Sequence, residues 1–202
     1  GDVYKRQLYY IPAGQYGKEG VLSLLEQHPE IKFVSLVGID LAGNDTDEKI
    51  PMAAFFDDYE AFFEGRAVQT DGSSVVLTNI ATLNNARVDM WGDPSVNWFV
   101  DYNYENIDEA TGLPTGTLRI PAFLMHNYRY VDSRSILKNS CDYVRAELLS
   151  LIKEHGLPGM PHVKADDVVD IIFTSATELE FWVKTPSRTC LLYTSDAADD
   201  LT

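Results

Sequence analysis

The chain has 202 residues, with 31 Asp and Glu against 16 Lys and Arg and a formal net charge of -15. That acid excess leaves no basic stripe for a phosphate backbone and argues against nucleic acid or an anionic membrane as partner. A hydrophobic share of 45% excludes a disordered or fibrous chain and fits one domain, or one and part of another. No apolar run reaches the ~18–20 residues that span a bilayer. Two Cys cannot staple a disulfide scaffold, which points to a reducing, cytoplasmic setting.

In chain order, the first segment reads as translated foreign DNA. Asp2-Val3-Tyr4-Lys5-Arg6-Gln7 can be encoded by GATGTGTATAAGAGACAG, and the distant Cys190-Leu191-Leu192-Tyr193-Thr194-Ser195 by TGTCTCTTATACACATCT. These strings are reverse complements over nearly their whole length. They resemble the transposase end tag used to prepare sequencing libraries, and Asp196-Ala197-Ala198-Asp199 matches the adapter beyond it. Residues 1–7 and 190–202 are therefore expected to be non-native and not to pack, and residues 8–189 to be a fragment.

Lys18 to Gln27 places Val21, Leu22, Leu24 and Leu25 at helical spacing and stops before Pro29, a short amphipathic helix. Ile31 to Ile39 is β-branched and apolar, a buried strand. Leu41 to Asp45 is turn chemistry, and Lys49 to Met52 is the return strand of a hairpin, ended by Pro51. Asp57 to Glu64 sets Tyr59, Phe62 and Phe63 on one side of a helix closed by Gly65. Thr70 to Ser74 is a loop. Asn97 to Tyr104 alternates as a strand, with Trp98, Val100, Tyr102 and Tyr104 opposite Phe99. A surface turn over Asp108 to Gly116 leads to a strand over Thr117 to Met125, where Pro121 implies an edge or a bulge. Asp132-Ser133 offers an N-cap to the longest periodic segment, a helix over Ser133 to Glu154. Leu157 to Lys164 is a loop, Ala165-Asp166-Asp167 opens a short helix, and Ile171 to Lys184 reads as strand. This order is α+β, with a boundary near Met125 to Val131.

Two stretches carry chemistry. In a strand, Glu178 and Glu180 project to one face ~6–7 Å apart, and paired carboxylates suit hard cations such as Mg²⁺ or Mn²⁺. The same pattern also describes a solvated strand face, since a metal site needs further ligands. Asp71-Gly72-Ser73-Ser74 places a carboxylate and two hydroxyls on a loop, fit for an ammonium or anion pocket or for an ordinary Asx-type turn. His28, His126, His155 and His162 show no ligand spacing and read as loop or helix-end residues. Cys141 reads as a small core residue, and Trp91, Trp98 and Trp182 as packing residues or, for the first, an interface residue.

Taken together and in order, these motifs resemble the N-terminal part of bacterial type I glutamine synthetase. The resemblance rests on Ile50-Pro51 and the short acidic helix, then Thr70-Asp71-Gly72-Ser73-Ser74. It continues in Asp132-Ser133-Arg134-Ser135-Ile136-Leu137-Lys138 and in Thr177-Glu178-Leu179-Glu180-Phe181. It implies a β-grasp domain over residues 8–125 and, over 126–189, the truncated start of a catalytic α/β barrel. It implies an ATP-dependent glutamate–ammonia ligase working through γ-glutamyl phosphate, inactive as this fragment alone. Glu178 and Glu180 would each hold one ion of a Mg²⁺ or Mn²⁺ pair that bridges ATP phosphates and glutamate. Asp71, on a substrate loop with Gly72, Ser73 and Ser74, would bind ammonium. The partners implied are glutamate, ammonium and ATP, in a homo-oligomer of two hexameric rings whose sites are shared between subunits.

The chain also departs from the family. Val75-Val76-Leu77 stands where a Gly-rich continuation is usual, and Ala176-Thr177 replaces Gly-Pro. The Asp-Met pair is not clearly matched around Val88-Asp89-Met90, a helix precedes Ile31, and Leu157 to Asp170 reads as an insertion. Two rivals remain: a ligase of the same fold that joins glutamate to a polyamine or other amine, and a non-catalytic homologue.

Overall fold

The computed structural model describes residues 7–77, 83, 86–176, 178 and 180. The chain divides into two units, 1–146 and 147–202. The expectation that residues 190–202 do not pack, and Trp182, lie outside the described residues, as do residues 1–6 of the N-terminal segment.

The first unit is built on β-strands. In chain order these are β1 (Tyr10–Ile11), β2 (Ile31–Ile39), β3 (Asp45–Pro51), β4 (Val68–Asp71), β5 (Arg87–Gly92), β6 (Trp98–Ile107), β7 (Pro114–His126) and β8 (Arg129–Tyr130). One sheet runs β1-β6-β7-β2-β3, with β2 parallel to β7 and the other pairs antiparallel. The second half of β7 pairs instead with β5, which pairs with β4, and the end of β7 pairs with β8. The result is a large, mostly antiparallel sheet in a mixed α and β fold.

Its strands form where β-branched and aromatic residues can put one face into a common core. Val34, Leu36, Val88, Met90, Leu118, Ile120 and Leu124 are fully buried, each worth about 1.5–3 kcal/mol against exposure. Pro121 is not on an edge strand. It lies mid-way along β7, opposite Val37, one residue before the strand changes partner at Ala122↔Gly92. There the ladder is interrupted anyway, so a residue without an N–H is tolerated. The Pro121 carbonyl still accepts from Asp93 N at 2.8 Å.

Helix α1 (Lys18–Glu26) buries Val21 and Leu25. The helix expected over Asp57 to Glu64 is the shorter α3 (Tyr59–Phe63), and a further helix, α2 (Met52–Asp57), precedes it and begins at Met52, the expected end of the return strand. Asp58 breaks them with φ -141° and ψ 69°, and its carboxylate accepts from Ala61 N at 3.3 Å to cap α3. Their aromatic rings interlock, Phe55 meeting Phe62 edge-on at 5.0 Å and Phe63 stacking on Trp98 at 5.3 Å. Gly65 then takes φ +68°, and a Cβ there would collide with the Trp91 indole.

Helix α4 (Ser133–His155) passes from the first unit into the second. Asp132 caps it, accepting from Ser135 N at 2.8 Å and Ser135 Oγ at 3.0 Å. Cys141 lies on this largely exposed helix and is half-buried, so it is not a core residue. In the second unit Gly156 takes φ +72° after the helix, and a 3-10 turn covers Ala165–Asp167. The strand expected over Ile171 to Lys184 is absent from the described residues 171–176, 178 and 180. Ile172 is 81% exposed; β-branched residues favour a strand only where a neighbouring ladder and face receive them.

Candidate functional site

Asp71 is the last residue of β4 and stands opposite Arg87 of β5 in the antiparallel register. The chain then tightens into a 3-10 turn over Gly72–Ser74. The Asp71 carboxylate closes this turn by accepting from Ser73 N at 2.7 Å, an Asx-type arrangement. Gly72 is buried, donates its N–H to Ala86 O at 2.7 Å, and lies so close to the Leu83 carbonyl that a Cβ would overlap it. Only glycine fits that approach.

The turn leaves Asp71, Ser73 and Ser74 exposed to solvent. Hydrogen bonds from the Ser73 side chain and amide hold the Asp71 carboxyl below its ordinary range. The result is an accessible anion on a fixed backbone, a group that attracts a cation.

Alternation along the strands puts Asp71 on the same face as Arg87, Asp89 and Trp91. Arg87 Nε is 2.9 Å from Asp89 Oδ1, an ion pair at the surface. Beside them is a cleft of about 230 Å³ lined by Arg87, Asp89, Trp91, Met125, His126 and Tyr128, among others. The hairpin between β7 and β8 forms its wall through Asn127 and Tyr128, both left-handed at φ +49° and +62°. His126 Nδ1 lies 2.9 Å from Arg87 O and ties that hairpin to β5. No spacing rule in the sequence joined His126 to Arg87; strand register does.

Glu178 and Glu180 are exposed, in the second unit, and outside any strand, while Asp71 to Ser74 belong to the first unit. Their expected same-face geometry depended on an extended strand. Among the described residues no group of three or more His, Cys, Asp or Glu is placed to hold a metal ion. Two carboxylates have the right hard-oxygen chemistry for Mg²⁺ or Mn²⁺, but they leave most of an octahedral shell unfilled. These residues alone therefore do not fit a complete metal centre.

The Asp132-to-Lys138 motif fastens α4 to the sheet. Asp132 is fully buried and also accepts from Leu124 N at 3.1 Å. Arg134 Nη2 donates to Asp93 Oδ2 at 2.6 Å, and its guanidinium covers the Phe123 ring at 4.9 Å. Burial would raise the Asp93 carboxyl, but its bonds to Ser95 and Arg134 hold it below the ordinary value. His28, read as a plain loop residue, is 2.9 Å from the buried Glu30, which Tyr102 OH approaches at 3.5 Å.

No protein-family model matches this chain, and no curated protein matches it. Among solved structures it is similar to a Plasmodium falciparum glutamine synthetase determined by cryo-electron microscopy, with a TM-score of 0.45 and 14% identity. That match covers 68% of this chain and 24% of the other. It is also similar to GmaS in an ADP complex, with a TM-score of 0.38 and 15% identity over 61% of this chain and 25% of that one. The chain thus spans about a quarter of the length of these structures.

Proposed function

We propose that the chain is the front of an ATP-dependent ligase of the glutamine synthetase type, joining ammonia to glutamate. In this reading residues 8–125 are a β-grasp domain and 126–189 the start of the catalytic domain. The observation that carries it is the Asp71 turn: an ionised, solvent-facing carboxylate on a backbone that only glycine permits. Motif order from Asp71 through Asp132 to Glu180 supports it.

The γ-phosphoryl group of ATP passes to the glutamate side-chain carboxylate, releasing ADP. Ammonia then forms a bond to that carbon while the C–O bond to phosphate breaks. Asp71 attracts ammonium and holds it at the site, favouring loss of its proton to solvent and so leaving the neutral nucleophile. Glu178 and Glu180 would supply two of the oxygens around a divalent cation, with further ligands needed, and such a cation would neutralise phosphate charge. Sites shared between subunits of a homo-oligomer, and a cytoplasmic location, belong to the same proposal.

One observation favours a second reading, with an organic amine as acceptor. The cleft of about 230 Å³ bounded by Arg87, the strand partner of Asp71, has room for more than ammonium, and its lining sets the paired Arg87 and Asp89 beside the Trp91 and Tyr128 rings. Both readings are tested by supplying the uninterrupted gene product with ATP, glutamate and either ammonium or organic amines. Mass spectrometry of the γ-glutamyl product identifies the acceptor. Absence of any ATP-dependent glutamate derivative contradicts both.

A further inference from the structure

We infer that Asp40 is a positioning residue of the Asp71 turn, latching the chain just beyond Ser74 to the turn between β2 and β3. The inference rests on the amine-binding role proposed for Asp71, but its geometry stands apart from that role.

Asp40 follows β2 directly and is fully buried. A buried carboxylate is stable only when donors replace its water. Asp40 Oδ1 accepts from Ala42 N and Asn44 N, both at 2.9 Å, while Oδ2 accepts from Asn44 Nδ2 and Val76 N, both at 3.0 Å. Three of these bonds are local and close the β2–β3 turn around Gly43 at φ +85°. The fourth is not local, because Val76 is 36 residues away. Leu41 N adds a bond to Val76 O at 3.3 Å, so the peptide groups at Val76 are held from one turn.

The segment that carries the site is thereby pinned at both ends. Gly72 N is fixed by Ala86 O at 2.7 Å before the turn, and Val76 is fixed by Asp40 and Leu41 after it. Between them lie only Ser73, Ser74 and Val75, with Val75 N bonded to Gly72 O at 3.1 Å. Releasing Val76 frees one end of a span of one turn, and Asp71 is at its other end. Burial works against the Asp40 anion, yet its donors win and hold the carboxyl below the ordinary value, so the latch stays charged at neutral pH.

Hydrogen exchange by mass spectrometry and NMR on the 202-residue chain tests this, with Asp40→Asn, Val76→Pro and Asn44→Ala. Asp40→Asn replaces one acceptor oxygen by an amide that cannot receive a donor. Val76→Pro removes the latch donor and spares the three turn bonds; Val75, at φ -114° and ψ 109°, already has the extended backbone proline requires before it. Asn44→Ala weakens the β2–β3 turn without touching Val76. Both latch variants should raise exchange at Gly72 to Val75 by about tenfold or more, the scale of one hydrogen bond to a charged group, with β6 and β7 unchanged. Asn44→Ala should leave Gly72 to Val75 as they were. Equal exchange in all variants, or equal loosening by Asn44→Ala, overturns the latch. If Asp40→Asn fails to fold, Val76→Pro decides alone.

The uninterrupted gene product carrying Asp40→Asn adds the functional arm. The KM for the amine acceptor should rise by about tenfold while the KM for ATP stays put, a split that general destabilisation does not produce. Faster exchange with an unchanged amine KM keeps the latch and removes Asp71 from the amine site.

Discussion

The Asp71 turn and the Glu178–Glu180 stretch are both short acidic motifs, and the chain treats them differently. Around Asp71 the backbone is closed by Ser73, packed against Leu83 through Gly72, and tied to Val76 and Asp40. Around Glu178 and Glu180 the described residues are exposed and outside any strand. A carboxylate becomes a defined site when neighbours within the same unit over-determine its backbone. Both motifs offer carboxylates; among the described residues only Asp71 stands on a backbone held by named partners.

The largest effect should come from the junction between the sheet and the start of α4. Arg134→Ala removes one charged partner of the buried Asp93, which keeps its bonds from Ser95, and should cost about 2–3 kcal/mol in urea unfolding. The pH dependence follows from Asp93. Its carboxyl is held below its ordinary value of 3.8 in the folded chain. It therefore contributes stability that is full above that value and is lost as pH falls through the lower, folded one. Acid unfolding curves of Arg134→Ala should show less of this loss below about pH 4 than the parent, because part of the cause is gone.

Next in size is a direct contrast of the two motifs. Gly72→Ala forces a methyl against the Leu83 carbonyl and should destabilise by about 1–3 kcal/mol. Glu180→Ala, at an exposed residue without such packing, should change stability by less than about 0.5 kcal/mol. Equal effects would erase the distinction drawn between the regions. Smallest is the metal response of the chain by itself. With two carboxylates and most of the shell left to water, calorimetry should find only feeble Mn²⁺ binding. Micromolar affinity lost on Glu180→Ala would mean that the stretch is better organised than its exposure indicates.

The sequence made the apolar elements legible. Ile31 to Ile39 is a strand with the expected ends, Trp98, Val100 and Tyr102 face the core, and α4 begins at Ser133 behind its Asp132 cap. The two strands have enough periodic apolar residues to state their own face, whereas α4 is announced by its cap while Leu137, Val144, Leu148 and Leu151 stay exposed. β4 and β5 were missed because each is short and half polar, and only their pairing with each other and with β7 makes them strands. The strand expected over Ile171 to Lys184 failed for the complementary reason: strong local propensity with no ladder among the described residues. Asp71 was legible as a turn residue, since its Asx bond is local. Its supports were not, because Ala86, Leu83 and Asp40 reach it through tertiary contacts that no spacing rule encodes. The Asp93–Arg134 pair was hidden in the same way.

The assignment of Asp71 to the amine and Glu180 to the metal is tested most directly by mixing two impaired variants of the uninterrupted gene product. Asp71→Asn alone should raise the ammonium requirement and lower turnover with ATP binding intact. Glu180→Gln alone should shift the Mn²⁺ or Mg²⁺ dependence by about tenfold or more. If the Asp71 turn serves a neighbouring subunit, co-refolded mixtures must contain sites that draw an intact turn from one chain and an intact Glu180 from the other. The account predicts that ligase activity returns in such hybrids. Hybrids shown by mass spectrometry to co-assemble, yet without activity, would contradict it and leave Asp71 as an ordinary turn residue.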